Sequence, residues 1–517
     1  MNGMIPRHAQ PALQVLVLAA GRGTRMRSAR PKVLQPLGGR PLLWHVLEQA
    51  RQLAPAAITV VVGHQAAEVQ AAAEAMAADL TADLAESGGA PIPLRFVEQV
   101  PQRGTGHAVA LGIDGLPASD TVLILYGDVP RVPLADLQAC LSMRTVADLV
   151  ILGAHVEQPT GYGRLLEAAS GAVVGIVEER DATPEQKALR CIHTGILCAP
   201  VGHLRRWLHA VESLAHARQG EWYLTDVVAA AHAEGAVLRR VLSVEAADVL
   251  GVNDRIQLAA QERRYQRAQA TQWLQQGLTL LDPERFDVRG KLVFGEDCVC
   301  DVNVVMEGTV ILGKRVVIGP HCLLRDVTLG DDVRIEASSV LEGCVVEAAA
   351  VVGPFARLRP GTRLGPGARV GNFVELKNTR LGAAAKANHL SYLGDAEVGP
   401  RANIGAGTIT CNYDGVHKHR TEIGADAFIG SNSALVAPVS VGHGATLGAG
   451  TVLTRSAPPD ALTLTRTPQK TLPHWPGRRK TAPAPPADPA EAPVAADAPA
   501  SADAPVAVGF PEEIPVK

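Results

Sequence analysis

IGADAFIGSNSALVAPVSVGHGATLGAGTVLTR, residues 423–455, repeats with a period of six. Ile423, Ile429, Leu435, Val441, Leu447 and Leu453 stand six apart, with glycine following at 424, 430, 442 and 448. An amphipathic helix does not hold this period, and a plain strand repeats at two. A six-residue aliphatic repeat is the pattern of a parallel β-helix, in which each repeat forms one flat edge of a coil. Its aliphatic side chain points into a narrow prism. The glycine after it is expected to free the backbone for the turn into the next edge.

The same spacing runs back through Val352, Leu358, Leu364, Val370 and Leu376, and earlier through Phe294, Cys300, Met306, Leu312, Ile318 and Leu324. An aromatic content of 3% suits an interior too narrow for large rings. Before the repeats, RIQLAAQERRYQRAQATQWLQQG (255–277) has no proline and predicts a long connecting helix with one apolar face. Further upstream, Leu13–Ala19, Ile58–Val62, Thr121–Leu125 and Asp148–Ala154 read as strands, and 41–53, 64–80 and 133–144 as helices. That alternation predicts an α/β, doubly wound (Rossmann-like) domain with a mostly parallel sheet and its ligands at the strand carboxyl ends. The stretch 78–92 reads as a surface loop.

The expected organisation is a nucleotide-handling domain over 1–253, a linker helix over 254–277, a β-helix over 278–472 and a tail over 473–517. In the tail the composition collapses to Ala, Pro, Asp and Val. Such a segment buries too little apolar surface to offset its ordering entropy, so disorder is expected there, and looseness in the first ten residues. The 517 residues are 47% hydrophobic and 20% charged, the balance of a globular protein of two or three domains. With 49 basic against 52 acidic side chains, no broad surface for nucleic acid is implied. Leu13–Ala20 is too short to span a membrane and ends in Gly21-Arg22-Gly23 rather than a cleavage site, so a cytoplasmic location is expected. Of eight cysteines only Cys298 and Cys300 are close, and no second pair offers zinc spacing.

VLVLAAGRGTRMRSARPK (15–32) is a strand, a Gly-rich loop and a basic stretch. Glycines let backbone N–H groups approach phosphate oxygens, and Arg25 and Lys32 can neutralise charge developing in phosphoryl transfer. It lacks the third Gly of a dinucleotide fingerprint and the Gly-Lys-Ser/Thr of a P-loop. Downstream stand Glu98-Gln99, Gly104-Thr105-Gly106-His107-Ala108, Tyr126-Gly127-Asp128-Val129-Pro130, Gly161-Tyr162-Gly163-Arg164, Gly175-Ile176-Val177-Glu178 and Gly251-Val252-Asn253. In the second half, polar residues gather where the repeat is interrupted: Arg359 and Pro360, Lys377, His389 and Tyr392, then NIGAGTITCNYDG (403–415). An imidazole titrates near neutrality and suits a general base.

Taken together, these motifs resemble the nucleotide-diphospho-sugar pyrophosphorylases. With the hexapeptide half, the resemblance narrows to the bacterial bifunctional N-acetylglucosamine-1-phosphate uridylyltransferase/glucosamine-1-phosphate acetyltransferase family, over roughly residues 13 to 470. It implies that Leu18, Ala19, Ala20, Gly21, Lys32, Gln99, Gly104, Thr105, Tyr126 and Gly127 hold UTP. Gly163, Glu178, His193 and Asn253 would contact sugar and ribose, Asp128 and Asn253 would bind Mg²⁺, and Arg25 and Lys32 would serve catalysis. Where the family has Asn, this chain has His193, a larger ring of different shape.

For the second half it implies His389 as the base, and Arg359, Lys377, Tyr392 and Asn403 on the sugar phosphate. Ala406, Asn412, Tyr413, Ser431, Ala449 and Arg466 would line the acetyl-CoA channel. The basic piece PQKTLPHWPGRRK (468–480) reads either as a solvated end or, through Arg478, Arg479 and Lys480, as further cations for the anionic cofactor. The resemblance also implies a left-handed β-helix, an exception to the usual crossover hand, and a homotrimer with acetyltransfer sites between subunits. The expected product is UDP-N-acetylglucosamine, for cell-wall precursors. Two other readings compete: a pyrophosphorylase whose β-helix only assembles it, and a partner-binding solenoid with a decayed first domain.

Overall fold

The computed structural model describes residues 11–85, 92–169, 171–215, 220–466 and 468–473. The expected disorder of the tail beyond 473, the looseness of the first ten residues and the cations at 478–480 lie outside them.

The first half is built on a nine-stranded sheet. Its spine runs Leu238–Leu242, Leu149–His155, Cys191–Pro200, Thr121–Tyr126, Leu13–Leu18, Ala57–Val62, Leu94–Glu98. Leu13–Leu18 pairs parallel with both of its neighbours. Its alternate residues feed two cores: Val15 and Val17 pack under helices Leu42–Gln52 and Leu134–Met143, Leu16 and Leu18 under Thr105–Gly112 and Val201–Ala215. Both faces are covered, so these strands read as unbroken apolar runs. The predicted strands and helices of this half are all present. The sheet is mixed, however: Cys191–Pro200 inserts antiparallel between Thr121–Tyr126 and Leu149–His155. The expected loop at 78–92 is corrected as well, because the helix Ala66–Ala85 continues through its first part, while 86–91 fall outside the described residues.

The connecting helix spans Arg255–Gln275, started by Asp254, whose side chain accepts from the Gln257 N–H. Its buried residues Leu258, Gln261, Gln266, Ala270 and Trp273 follow helical spacing, but two are glutamines, so the apolar face expected for it is absent. Gln266 bonds both the N–H and the C=O of Val288 at 2.9 Å. Gln261 donates to the Ala247 carbonyl at 2.7 Å. Leu258 joins the cluster of Met26, Leu37, Leu42 and Val252, while Ala270 and Trp273 join the β-helix core. One helix is thus shared between two cores.

The second half is a parallel β-helix of an eleven-stranded and a fifteen-stranded sheet. Long strands such as Phe286–Phe294 and Val304–Leu312 bend across two faces of the prism. The repeat residues from Cys300 to Leu453 point inward and are buried; Phe294 is only partly so. Coils advance by 18 residues from Phe286 to Val304, by 17 from Glu375 to Tyr392, and by 25 from Ala396 to Thr421. The long coil carries the CNYDG segment outward.

The glycines after the repeat residue serve another purpose than expected. Gly424 and Gly430 do not have positive φ; a Cβ on either would lie 2.5 Å from a backbone nitrogen of the next coil. Coil-on-coil approach excludes a side chain there. The left-handed turns fall two residues later, at Asp426 and Asn432.

Candidate active site

At the carboxyl ends of Leu13–Leu18 and Thr121–Tyr126 lies a cavity of about 450 Å³. Leu18, Ala19, Ala20, Gly21, Lys32, Gln99, Gly104, Thr105, Tyr126, Asp128 and Asn253 line it. It opens into a second cavity of about 680 Å³ with Arg25, Gly163, Glu178 and His193 in its wall. Gly127 stands behind the wall, its N–H donating to the Leu18 carbonyl at 2.9 Å. Gln102, which the sequence reading passed over, donates to the Ala20 carbonyl at 2.5 Å and steadies the Gly-rich loop. Gly104 takes φ +96°, and a Cβ there would sit 2.4 Å from the Trp222 carbonyl oxygen. The segment around Trp222 therefore closes over the cavity only because residue 104 lacks a side chain.

Polar chemistry converges at one point. The Lys32 ammonium pairs with Asp128 and donates to Asn253 Oδ1 at 2.9 Å, and Arg25 donates to the same oxygen at 2.9 Å. Asn253 is brought there by backbone pairing of the Val252 N–H with the Asp128 carbonyl at 2.9 Å, and Gln257 accepts from its own N–H. Two hard oxygens, a carboxylate and an amide, thus share one cation. In the wall of the larger cavity, Glu178 accepts from Thr225 Oγ at 3.0 Å. His193 is buried, and desolvation lowers its pKa from 6.5 to about 4.

In the β-helix, His389 ends the strand Lys386–His389, exposed, with Nδ1 3.0 Å from Asn372 Oδ1 one coil below. The register of the eleven-stranded face continues from Ala387 to Ile404, Ile429 and Leu447, which stacks His389, Ala406, Ser431 and Ala449 in one file along an edge. Bonds from Asn432 N–H to Ala406 O and Gly450 N–H to Ser431 O hold successive coils together. Arg466 reaches the top of this file beside Gly448.

Round the next corner, Tyr392 OH and Asn412 Nδ2 both lie over Gly394, where a Cβ would meet them at 2.5 and 2.8 Å. Asn412 donates to Asp395 at 2.6 Å, Asn378 donates at 2.7 Å, and Lys377 stands at 3.9 Å. Against burial, which opposes it, these partners hold the Asp395 carboxyl below its ordinary range. The Lys377 ammonium in turn depresses Lys418. Asp395 and Lys418 escaped the sequence reading, since neither lies in a recognisable motif. Arg359, on the coil before Lys377, is paired with Glu375 at 2.9 Å. Two residues stand apart: Tyr413 donates into its own loop, to the Gly415 carbonyl, and Asn403 lies on the eleven-stranded face in register with Lys386. The eight cysteines are free.

Residues 15–235 match the model of the MobA-like NTP transferase domain, and 420–455 that of the hexapeptide repeat of succinyl-transferase. The chain is 53% identical to the "Bifunctional protein GlmU" of Alkalilimnicola ehrlichii, covering 91% of this chain and 98% of the relative. It is 49% identical to that of Cupriavidus taiwanensis, over 90% of this chain and 98% of the relative. The protein of the same description from Acinetobacter baylyi is 47% identical, over 88% and 96%.

Proposed function

Because the chain belongs to the family of the bifunctional GlmU proteins, we propose that its two sites catalyse successive steps toward UDP-N-acetylglucosamine. It is a bifunctional enzyme with a nucleotidyltransferase half and a hexapeptide acyltransferase half. In the second half, acetyl passes from the sulfur of acetyl-CoA to the amine of glucosamine 1-phosphate. In the first, a phosphate oxygen of N-acetylglucosamine 1-phosphate attacks the α-phosphorus of UTP, and pyrophosphate leaves.

The supporting observation for uridylyl transfer is the convergence of Asp128, Asn253, Lys32 and Arg25 at the strand ends. Such chemistry needs positioning and charge neutralisation rather than a protein nucleophile. The carboxylate and amide oxygens that share the Lys32 ammonium fit Mg²⁺, a cation of oxygen ligands. Asp128 and Asn253 would hold it, and it supplies charge neutralisation on the triphosphate when bound. Lys32 and Arg25 would neutralise charge that develops on the phosphates. Gly163, Glu178 and Thr225 take the sugar side.

For acetyl transfer, Asn372 accepts from Nδ1–H of His389, which leaves the Nε2 lone pair free to take the amine proton. Lys377, Lys418 and Arg359 bind the sugar phosphate; the file above His389 and Arg466 carry acetyl-CoA. Asn403 lies on a different face from Tyr392. A site using both needs a neighbouring copy, which supports a homotrimer. No helix among the described residues is long and apolar enough to cross a membrane, and a cytoplasmic enzyme of cell-wall precursor synthesis is the setting we assign. The test separates the sites: Asp128→Ala should abolish pyrophosphate release and spare acetyltransfer, and His389→Ala the reverse. Loss of both activities in either variant refutes two independent sites.

A further inference from the structure

The loop that follows the first strand carries Arg22, Arg25, Arg27, Arg30 and Lys32, with no acidic residue from Gly21 to Gln35. Such a segment repels itself. It also holds Arg27 at φ +47°, in the left-handed region, where a non-glycine residue persists only when its surroundings fix it. Yet two of these cations, Arg25 and Lys32, are brought to a single atom, Asn253 Oδ1.

A short relay of side chains fixes the loop. Gln35, 2% exposed, donates to Ser28 Oγ and to the Arg30 carbonyl, each at 3.1 Å. Its Oε1 accepts from Arg255 Nη1 at 2.9 Å, and Arg255 Nε donates to the Met26 carbonyl at 3.3 Å. Met26 is buried against Leu37, Leu42, Val252 and Leu258. Arg255 thus grips the loop at the residue after Arg25 and, through Gln35, at its base. It is also the first residue of the connecting helix, two positions after Asn253. In that same first turn, Gln257 accepts from the Asn253 N–H at 2.7 Å. The oxygen that receives the two cations and the clamp on the loop that delivers them therefore ride on one rigid element.

We propose that Arg255 is a positioning residue for uridylyl transfer: by bridging Met26 and Gln35 it sets the loop so that Arg25 and Lys32 stand where charge develops. This rests on the reading of the cavity as the uridylyl-transfer site. Arg255 is exposed and lies in neither cavity wall, so it acts through the loop and not on substrate.

The experiment uses the full chain. Arg255→Met keeps an unbranched stem and removes both bonds. It should lower kcat for pyrophosphate release roughly 5- to 100-fold, the loss of two hydrogen bonds, while KM for N-acetylglucosamine 1-phosphate stays within about twofold. Arg255→Lys retains a donor for one of the two acceptors and should recover part of the rate. In the absence of substrates, tryptic cleavage after Arg27 or Arg30 should speed up in Arg255→Met as the loop opens, with no faster cutting elsewhere in the first half. Acetyltransfer on the same preparations reports folding. A kcat loss below about fivefold, a KM that rises in step with the loss, a lysine variant no better than the methionine one, or unchanged cleavage of the loop overturns the proposal. An unmodified chain that releases no pyrophosphate, while Arg255→Met still opens the loop, overturns the uridylyl-transfer reading instead.

Discussion

Asn372→Ala isolates what holds the proposed base in place. The 3.0 Å contact between Asn372 Oδ1 and His389 Nδ1 is the hydrogen bond the structure gives that ring. A neutral hydrogen bond of this kind contributes about 0.5–1.5 kcal/mol net. Its loss frees the exposed imidazole to rotate and to put its proton on either nitrogen, which converts to a fall of roughly 2- to 12-fold in acetyltransfer. Removing the base itself costs far more, roughly 10²–10⁴-fold. Because Asn372 acts only through His389, the two losses should not add: Asn372→Ala placed on His389→Ala should do nothing further. Thiol release from acetyl-CoA with glucosamine 1-phosphate reads the rate, and pyrophosphate release on the same preparation controls for folding. An additive double variant would refute the reasoning, since Asn372 would then act on substrate or fold independently of the imidazole.

Three further outcomes are expected. Gln266→Leu strands the N–H and C=O of Val288 in a buried site; at about 1–3 kcal/mol per orphaned group, the unfolding temperature should drop by several degrees, and an unchanged melt argues against that bridge. A fragment ending at residue 277 should release pyrophosphate as a monomer by light scattering. One ending at 255 should be less stable, because it lacks Leu258, Gln261 and the Glu262 carboxylate that accepts from the Gly38 N–H at 2.7 Å; a trimeric 1–277 contradicts the assembly reading. Buried His45, bonded to the Leu37 carbonyl at 2.9 Å, has its pKa lowered from 6.5 to about 4 by desolvation. The unfolded chain then binds the proton more tightly. Stability is full above pH 6.5 and declines between 6.5 and 4, by on the order of 3 kcal/mol at most. His45→Gln should flatten that part of the acid-unfolding curve, and an unaltered curve would exclude His45 as its source.

The β-helix was legible because its information is local. Each edge needs one inward aliphatic residue every six positions, so Ile429, Leu435 and Leu447 announce themselves without knowledge of any distant partner. Leu13–Leu18 and its Gly-rich loop were legible for the same reason: the strand and the loop that lines the cavity lie within one short run. Contacts across long separations were not legible by spacing. Lys32 meets Asn253 at a separation of 221 residues, and only the paired backbones at Val252 and Asp128 decide that they share a point. Likewise the antiparallel insertion of Cys191–Pro200 depends on which gap in the sheet remains open, a property of the assembled layers.

The same division runs through the candidate sites. His389 was named from sequence, but the file His389, Ala406, Ser431, Ala449 appears only once coil lengths of 17, 18 and 25 residues are known. Asp395 and Lys418 gain meaning from the corner where Tyr392 and Asn412 crowd over Gly394 and Lys377 stands beside them. The spacing predicted a long connecting helix with an apolar face, yet could not predict that polar Gln261 and Gln266 would be buried on it. A glutamine is tolerated there because a particular backbone carbonyl or N–H lies within reach, and that neighbour exists only in the folded chain. Which residues turn inward can be read along the chain, since burial follows a local period; which outward groups meet cannot, since electrostatics and hydrogen bonding depend on distances that exist only after folding.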